Sequence, residues 1–370
     1  MSMAPYQGWV GGLAAGRSRV WAEAEQASPA ELRALAMSVL GAGPDEDEPP
    51  EARVTGRWEA DGLVGEALSW DLGYGPPTEA YLLRPSSATG PLPGVLALHC
   101  HGGFKWYGKE KVADGPDGPA PGTAGVRREL YDGTAYANEL ARSGFVVLVH
   151  DAFMWGSRRF ALTEGLQPGG GTEDGIAAYN DLAGAHEHLV EKYCRLLGTT
   201  AAAVVAREDR AALAYLAARP EVAAGHLGCI GLSGGGLRAC MLHATGGPVR
   251  ASVVVGMMAT YRSLLDQHVA RHTWLLYPAG WPERADWPDL AGCRTEVPLL
   301  VQYNREDPLF PLEGMQAAHE RLERRYQRAG AAGRYEGQFY PGGHKFDRAM
   351  QSAAFDWLRR HLGAPEAMGS

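Results

Sequence analysis

The feature that most constrains this chain is a change of hydrophobic period partway along it. From Ala52 onward, short apolar runs, several rich in β-branched residues, recur at 94–99, 145–150, 227–232, 251–257, 297–303 and 334–340. Between them lie stretches with helical spacing, at 131–142, 207–217, 237–244, 313–328 and 349–362. Upstream, residues 53–59, 63–70 and 79–83 read as strands joined by the turn residues Asp61-Gly62 and the segment 73–77. Antiparallel strands followed by alternating strands and helices predict an α/β fold: a mostly parallel central sheet, antiparallel at its N-terminal edge, with helices on both faces.

Composition removes other classes. Of the 370 residues, 45% are hydrophobic, enough for a large core and too many for disorder. The 49 glycines have no triplet period, so collagen is excluded and turns are indicated. Lys and Arg total 35 against 43 Asp and Glu, a net charge of −8, which argues against nucleic acid or an anionic membrane as partner. No apolar run approaches the roughly 20 residues of a membrane span, and residues 1–20 lack a secretory pattern. The five cysteines are scattered with no C-x-x-C pair, as expected of structural thiols in a reducing cytoplasm.

Residues 1–51 read as an N-terminal helical extension and linker. Ser28 and Pro29 open a helix continued by Leu32, Leu35, Ala36 and Val39, stopped at 41–44 and followed by an acidic linker at 45–51. This extension is a packing appendage or a contact between copies in a homo-oligomer. Residues 52–363 form the main unit, with long insertions at about 104–128, 152–205 and 258–294.

In open parallel sheets, ligands sit beyond the carboxyl ends of the strands. Four such loops carry reactive groups. Gly231-Leu-Ser233-Gly234-Gly235 lies between a strand and a helix, where glycines permit a turn sharp enough to raise a serine hydroxyl above the sheet. The Gly234 N–H is aimed at the same point. Isolated, G-x-S-x-G is a weak signal in so glycine-rich a chain, and its context makes Ser233 a nucleophile candidate. His99-Cys-His101-Gly102-Gly103-Phe104 follows an early strand and offers Gly103 or Phe104 as a second oxyanion donor. The alternative, His99 and His101 as metal ligands, lacks further ligands at matching spacing, and His186-Glu-His188 on a helix is no better placed.

After a late strand, Tyr303-Asn-Arg-Glu306-Asp307-Pro308 supplies an acid able to orient an imidazole. Asp307 is favoured over Glu306 because Pro308 turns the chain outward. Of twelve histidines, His344 in Tyr340-Pro-Gly-Gly-His344-Lys-Phe346 alone stands on a glycine-flanked loop between the last strand and the last helix.

With these motifs, residues 52–362 resemble the α/β-hydrolase superfamily, in particular its dienelactone-hydrolase-like and acetyl-xylan-esterase-like branch. His150-Asp151 followed by Trp155-Gly156-Ser157-Arg158 is also similar. Dienelactone hydrolases proper use a cysteine where this chain has Ser233. The resemblance implies the α/β-hydrolase fold with long loops forming a partial lid. It also implies hydrolysis of a small-molecule carboxylic ester, acetyl or another short acyl, without a cofactor or metal. Lyase or cyclase, thioesterase and peptidase chemistries run on the same Ser–His–Asp set and stay open.

Half of the ten tryptophans fall in the three insertions. They either anchor the loops to the body or line a pocket for a sugar-like or aromatic ester. Under the second reading, Lys105, Trp106, Tyr107, Trp155, Arg158 and Trp274 are substrate-binding residues.

Overall fold

The structure, a computed structural model, describes residues 3–43, 48–162, 172–265 and 268–363. Residues 45–47 of the expected linker lie outside these, as do 163–171 and 266–267 of two insertions.

Among the described residues, nine strands form one sheet: β1 (Ala52–Ala60), β2 (Leu63–Trp70), β3 (Thr78–Pro85), β4 (Leu92–Leu98), β5 (Val146–His150), β6 (Val222–Leu232), β7 (Val249–Val255), β8 (Leu299–Asn304) and β9 (Tyr335–Tyr340). Their order is β1-β2-β3-β5-β4-β6-β7-β8-β9. The pairs among β1, β2, β3 and β5 that involve β2 or β3 are antiparallel, and every pair from β5 to β9 is parallel. The expected architecture is therefore the observed one.

Both faces of the sheet are buried, which is why the central strands read as continuous apolar runs. One face (Val95, Ala97, Val147, Ile230, Val253) is covered by α3 (Ala124–Tyr131), α4 (Tyr136–Arg142) and α11 (Arg348–Leu362). The other (Leu96, Leu98, Leu148, Cys229, Val254) is covered by α2 (Pro29–Val39), α6 (Ala201–Ala217), α7 (Gly234–Thr245) and α10 (Leu312–Arg328).

Sequence periodicity predicts one helix over 131–142, whereas two are present. Asp132 (φ 54°) and Gly133 (φ 74°) adopt left-handed backbone and end α3 through the Asp132 N–H bond to the Arg127 carbonyl. The helix expected from 207 starts at Ala201, because Thr200 caps the Ala203 N–H.

The N-terminal α1 (Gln7–Ala24) and α2 pack on the body. Ser28 and Glu31 form a capping box at the start of α2. Arg325 on α10 donates to the Ala24 carbonyl at 3.1 Å and to Asp289 at 2.9 Å, on the short helix α9 (Trp287–Ala291). The insertions contribute α5 (Glu173–Leu196) and the short α8 (Tyr261–Leu264). All five cysteines are buried free thiols. Among the described residues, no helix is long and apolar enough to cross a membrane.

Candidate active site

Strands β4, β6, β7, β8 and β9 are parallel, so the loops leaving their carboxyl ends meet at one edge. Ser233 follows β6 directly and has φ 59° and ψ −120°, a strained conformation for a residue with a side chain. What holds it there is crowding that only glycine tolerates. A Cβ on Gly231 would lie 2.4 Å from the Gly235 backbone carbon, and one on Gly235 would lie 2.1 Å from the Leu98 carbonyl oxygen. The Ser233 N–H donates to the Val255 carbonyl at 2.8 Å, fixing the turn to β7. Gly234 begins α7, where the first N–H groups have no partner within the helix. Deeper down, Arg238 of α7 is buried against Asp209 of α6 at 2.6 Å and anchors the helix.

His344 Nδ1 lies 2.6 Å from Asp307 Oδ2. The other Asp307 oxygen accepts the Leu309 N–H at 2.8 Å, so the carboxylate is held at both ends. Glu306, the alternative acid, points elsewhere: its carboxylate accepts the Gly342 N–H and clips the acid loop to the histidine loop. Asn304 Nδ2 adds a second clip to the Lys345 carbonyl at 2.9 Å. Gly256, at the end of β7 with φ 58°, leaves space for the ring. A Cβ there would be 3.4 Å from His344 Cε1.

Ser233, Gly234 and His344 border one cavity of about 580 Å³ with Gly102, Gly103 and Phe104. Its remaining walls are mainly apolar (Val126, Leu130, Met257, Leu276, Leu309, Phe310), with Glu129, Arg271, His272 and Thr273 also contributing.

The H-G-G loop departs from expectation. The Gly103 N–H donates to His101 Nδ1 at 3.1 Å and the Phe104 N–H to the His101 carbonyl at 3.1 Å, so neither expected oxyanion donor is free. Gly102 and Gly103 both have φ 61°, and two successive left-handed residues curl the loop back onto His101. Lys111, fully buried, donates to the Cys100 carbonyl, to the His101 carbonyl at 3.2 Å and to the Phe104 carbonyl at 3.0 Å. Burial pulls this amine down to about 8.

Glu187 on α5 is the least expected member of the site. One of its oxygens meets His101 Nε2 at 2.9 Å and Lys105 Nζ at 2.6 Å. The other accepts the Thr273 hydroxyl and the Trp274 N–H at 3.1 Å. Burial pushes this carboxyl up, but the His101 hydrogen bond, with the charge and hydrogen bond of Lys105, outweighs it and holds the group well below its usual value. Being ionised, Glu187 requires a proton on His101 Nε2. That leaves Nδ1 to accept from Gly103, and so selects the tautomer. The metal-ligand alternative for His99 and His101 also fails here, since His99 Nε2 accepts the Ala152 N–H at 3.3 Å.

None of the six residues expected to bind substrate lines the Ser233 cavity. Lys105 is spent on Glu187 and lies over the Trp155 ring at 4.9 Å. Trp155 is buried edge-on to His101 at 5.1 Å. Arg158 is buried against Glu208 at 2.6 Å. Trp274 Nε1 donates to His188 at 2.8 Å. Trp106 packs against Tyr179 and, with Tyr107, borders a separate cleft of about 840 Å³. Trp155 and Arg158 tie the 152–205 insertion to the body, whereas Lys105, Trp106, Tyr107 and Trp274 join the insertions to one another. A sequence scan for exposed handles could not find Glu187, Lys111, Asp209 or Arg238, whose partners lie 7 to 139 residues away.

No family model matches the chain. It is 24% identical over 334 residues to "Putative hydrolase YtaP" of Bacillus subtilis (strain 168), covering 90% of this chain and 99% of that protein. Among solved structures it is similar to Methylesterase BT1017, with TM-score 0.61, 18% identity and 89% of this chain covered. The likeness spans only 62% of that longer chain. It is also similar to a putative acetyl xylan esterase from Bacteroides fragilis NCTC 9343 (TM-score 0.64, 13% identity, 85% of this chain and 77% of that one). A third likeness is to the glucuronoyl esterase from Solibacter usitatus (TM-score 0.62, 14% identity, 90% and 92%). Strand order, the serine turn after β6 and these likenesses agree that this chain has the α/β-hydrolase fold.

Proposed function

We propose that this protein is a serine hydrolase of carboxylic esters, with Ser233 as nucleophile, His344 as general base and acid, and Asp307 as the group that orients His344. The observation that carries this reading is the 2.6 Å Asp307–His344 pair, whose histidine borders the same cavity as a serine held at φ 59°. The chain order Ser–Asp–His is the one this fold uses.

In this mechanism His344 Nε2 takes the Ser233 proton as Oγ attacks the acyl carbon. Asp307 holds the Nδ1 proton and stabilises the imidazolium. The developing oxyanion is met by the Gly234 N–H at the start of α7. A negative oxygen is a stronger acceptor than a neutral imidazole nitrogen, so the Gly103 N–H turns from His101 Nδ1 to the substrate as charge builds. His344 then protonates the departing alcohol, and water attacks the acyl-enzyme by the same steps in reverse.

The cavity of about 580 Å³ with largely apolar walls suits an ester bearing a group larger than acetyl. Buried free thiols accord with a reducing cytoplasmic setting. Labelling with a fluorophosphonate probe, followed by mass spectrometry and an ester panel, tests the assignment. An adduct on Ser233 and release of acid plus alcohol are expected. An adduct elsewhere, or none on folded protein, overturns the nucleophile, and conversion without acid release overturns hydrolysis.

A further inference from the structure

Helix α5 is apolar on two sides. Its inner side, including Ile176, Tyr179, Ala183, Val190 and Cys194, is buried against the body. A surface helix ordinarily turns polar residues outward. Here Leu182, Ala185, Leu189, Tyr193 and Leu196 form a second stripe at three- and four-residue spacing, and it faces solvent. Leu196 is 86% exposed and Tyr193 61%, with Leu182 and Leu189 near half. With the adjoining Leu197 the stripe presents on the order of 500 Å² of apolar surface, as much as the largest patch on an ordinary monomer and most of the ~800 Å² per partner of a standard interface.

The charges beside the stripe are segregated. Glu173, Asp174 and Asp181 stand at the N-terminal end, Lys192 and Arg195 at the C-terminal end. Among the described residues Glu173, Asp174, Asp181 and Lys192 make no ion pair, while Arg195 is offset by Glu191 at 2.5 Å. Two such helices laid antiparallel match apolar stripe to apolar stripe and acidic end to basic end at both ends at once. This is the self-complementarity that a two-fold axis requires.

We infer that α5 is the interface of a two-fold homodimer, its stripe packed antiparallel against that of a second copy with Ala185 near the axis, so that Leu182 meets the partner's Leu189. The exposed stripe of α1 (Tyr6, Trp9, Leu13) is the weaker candidate. It has no acidic residue in its first turn to meet the basic residues further along, and Gly8, Gly11, Gly12 and Gly16 weaken its helix. The dimer connects to the Ser233 cavity because the buried side of the same helix carries Glu187, which holds His101 and the 273–274 backbone. Pairing would stiffen the cover of the site.

Analytical ultracentrifugation of the full chain at micromolar concentration tests this. The wild type is expected to sediment as a dimer. Leu189→Glu with Leu196→Glu should sediment as a monomer with an unchanged circular dichroism spectrum, both positions being exposed. Asp181→Lys should weaken association about tenfold or more, and adding Lys192→Glu should restore it. Ala185→Cys should form an intermolecular disulfide under mild oxidation, which keeps the proposal testable if the charged variants misfold. A monomeric wild type overturns the inference, and so does a dimer that survives both glutamates. Dissociation by Trp9→Glu alone assigns the interface to α1 instead. Flotation of a monomeric wild type with phosphatidylglycerol vesicles, lost in Leu189→Glu, assigns the stripe to a membrane surface.

Discussion

Glu187 accepts a hydrogen bond from His101 Nε2 at 2.9 Å, and this contact joins the α5 insertion to the glycine loop beside Ser233. Because the same carboxylate neutralises the buried Lys105 and holds residues 273–274, its removal should affect both stability and turnover. Breaking a buried pair of this kind typically costs about 3–5 kcal/mol. Glu187→Gln should therefore lower the unfolding free energy by that order, and lower kcat about 10- to 100-fold by loosening the loop geometry. The folded carboxyl titrates below its unfolded value near 4.5. Its stabilisation is thus complete above that pH and is lost as pH falls through the folded value. Urea titrations from pH 7 to 3 should show wild type and Glu187→Gln running parallel down to about pH 4.5 and converging below it. Curves that stay parallel below that pH would contradict the clamp.

Ser233→Ala and His344→Ala should each lower kcat about 10⁴–10⁶-fold, and Asp307→Asn about 10⁴-fold, with folding unchanged. Glu306→Gln should stay within about tenfold of wild type, since its carboxylate binds the Gly342 N–H rather than His344. Equal losses in Glu306→Gln and Asp307→Asn would reverse the assignment of the acid.

Lys111 connects the His101–Phe104 loop to pH. Burial brings its amine down to about 8, and all three carbonyl partners belong to residues 100–104. Deprotonation removes the charge and one N–H, so activity should decline above about pH 8. Stability should move in the opposite sense. Between about 8 and the unfolded value near 10.5 the unfolded chain binds the proton that the folded chain lacks, so stability attributable to this group rises with pH. In Lys111→Arg the alkaline decline in kcat/KM should shift upward or vanish, and in Lys111→Met the rise in stability should disappear.

Glycine positions near the site should separate by what surrounds them. Gly235→Ala drives a Cβ to 2.1 Å from a backbone carbonyl, and should unfold the turn or cost more than the usual ~1–3 kcal/mol of overpacking. Gly103→Ala meets no atom within 4 Å and pays only for φ 61°, about 1 kcal/mol. Thermal melts of the two variants should differ by many degrees.

Much of this was legible in the chain. Strand–helix alternation from residue 94 on and the hairpin turns at Asp61-Gly62 and 73–77 before it lead to the sheet, because period and turn chemistry are local. The Ser233, Asp307 and His344 loops could be singled out for the same reason: each reactive residue sits among glycines or prolines just past a strand. Helix ends at Asp132 and Ala201 escaped, since a left-handed aspartate and a threonine cap override periodicity without changing it.

By itself, then, the sequence determined the fold class, the order of the reactive loops and the glycines that make the serine turn feasible, all of which depend on neighbours along the chain. Tertiary structure alone decided which acid meets His344, that the His101–Phe104 loop turns its N–H groups inward, and that Lys105, Trp155 and Arg158 are anchors rather than pocket walls. Those outcomes depend on burial and on partners far apart in sequence. A buried charge such as Glu187 acquires its role only when the fold removes water and leaves His101, Lys105 and Thr273 as its available partners.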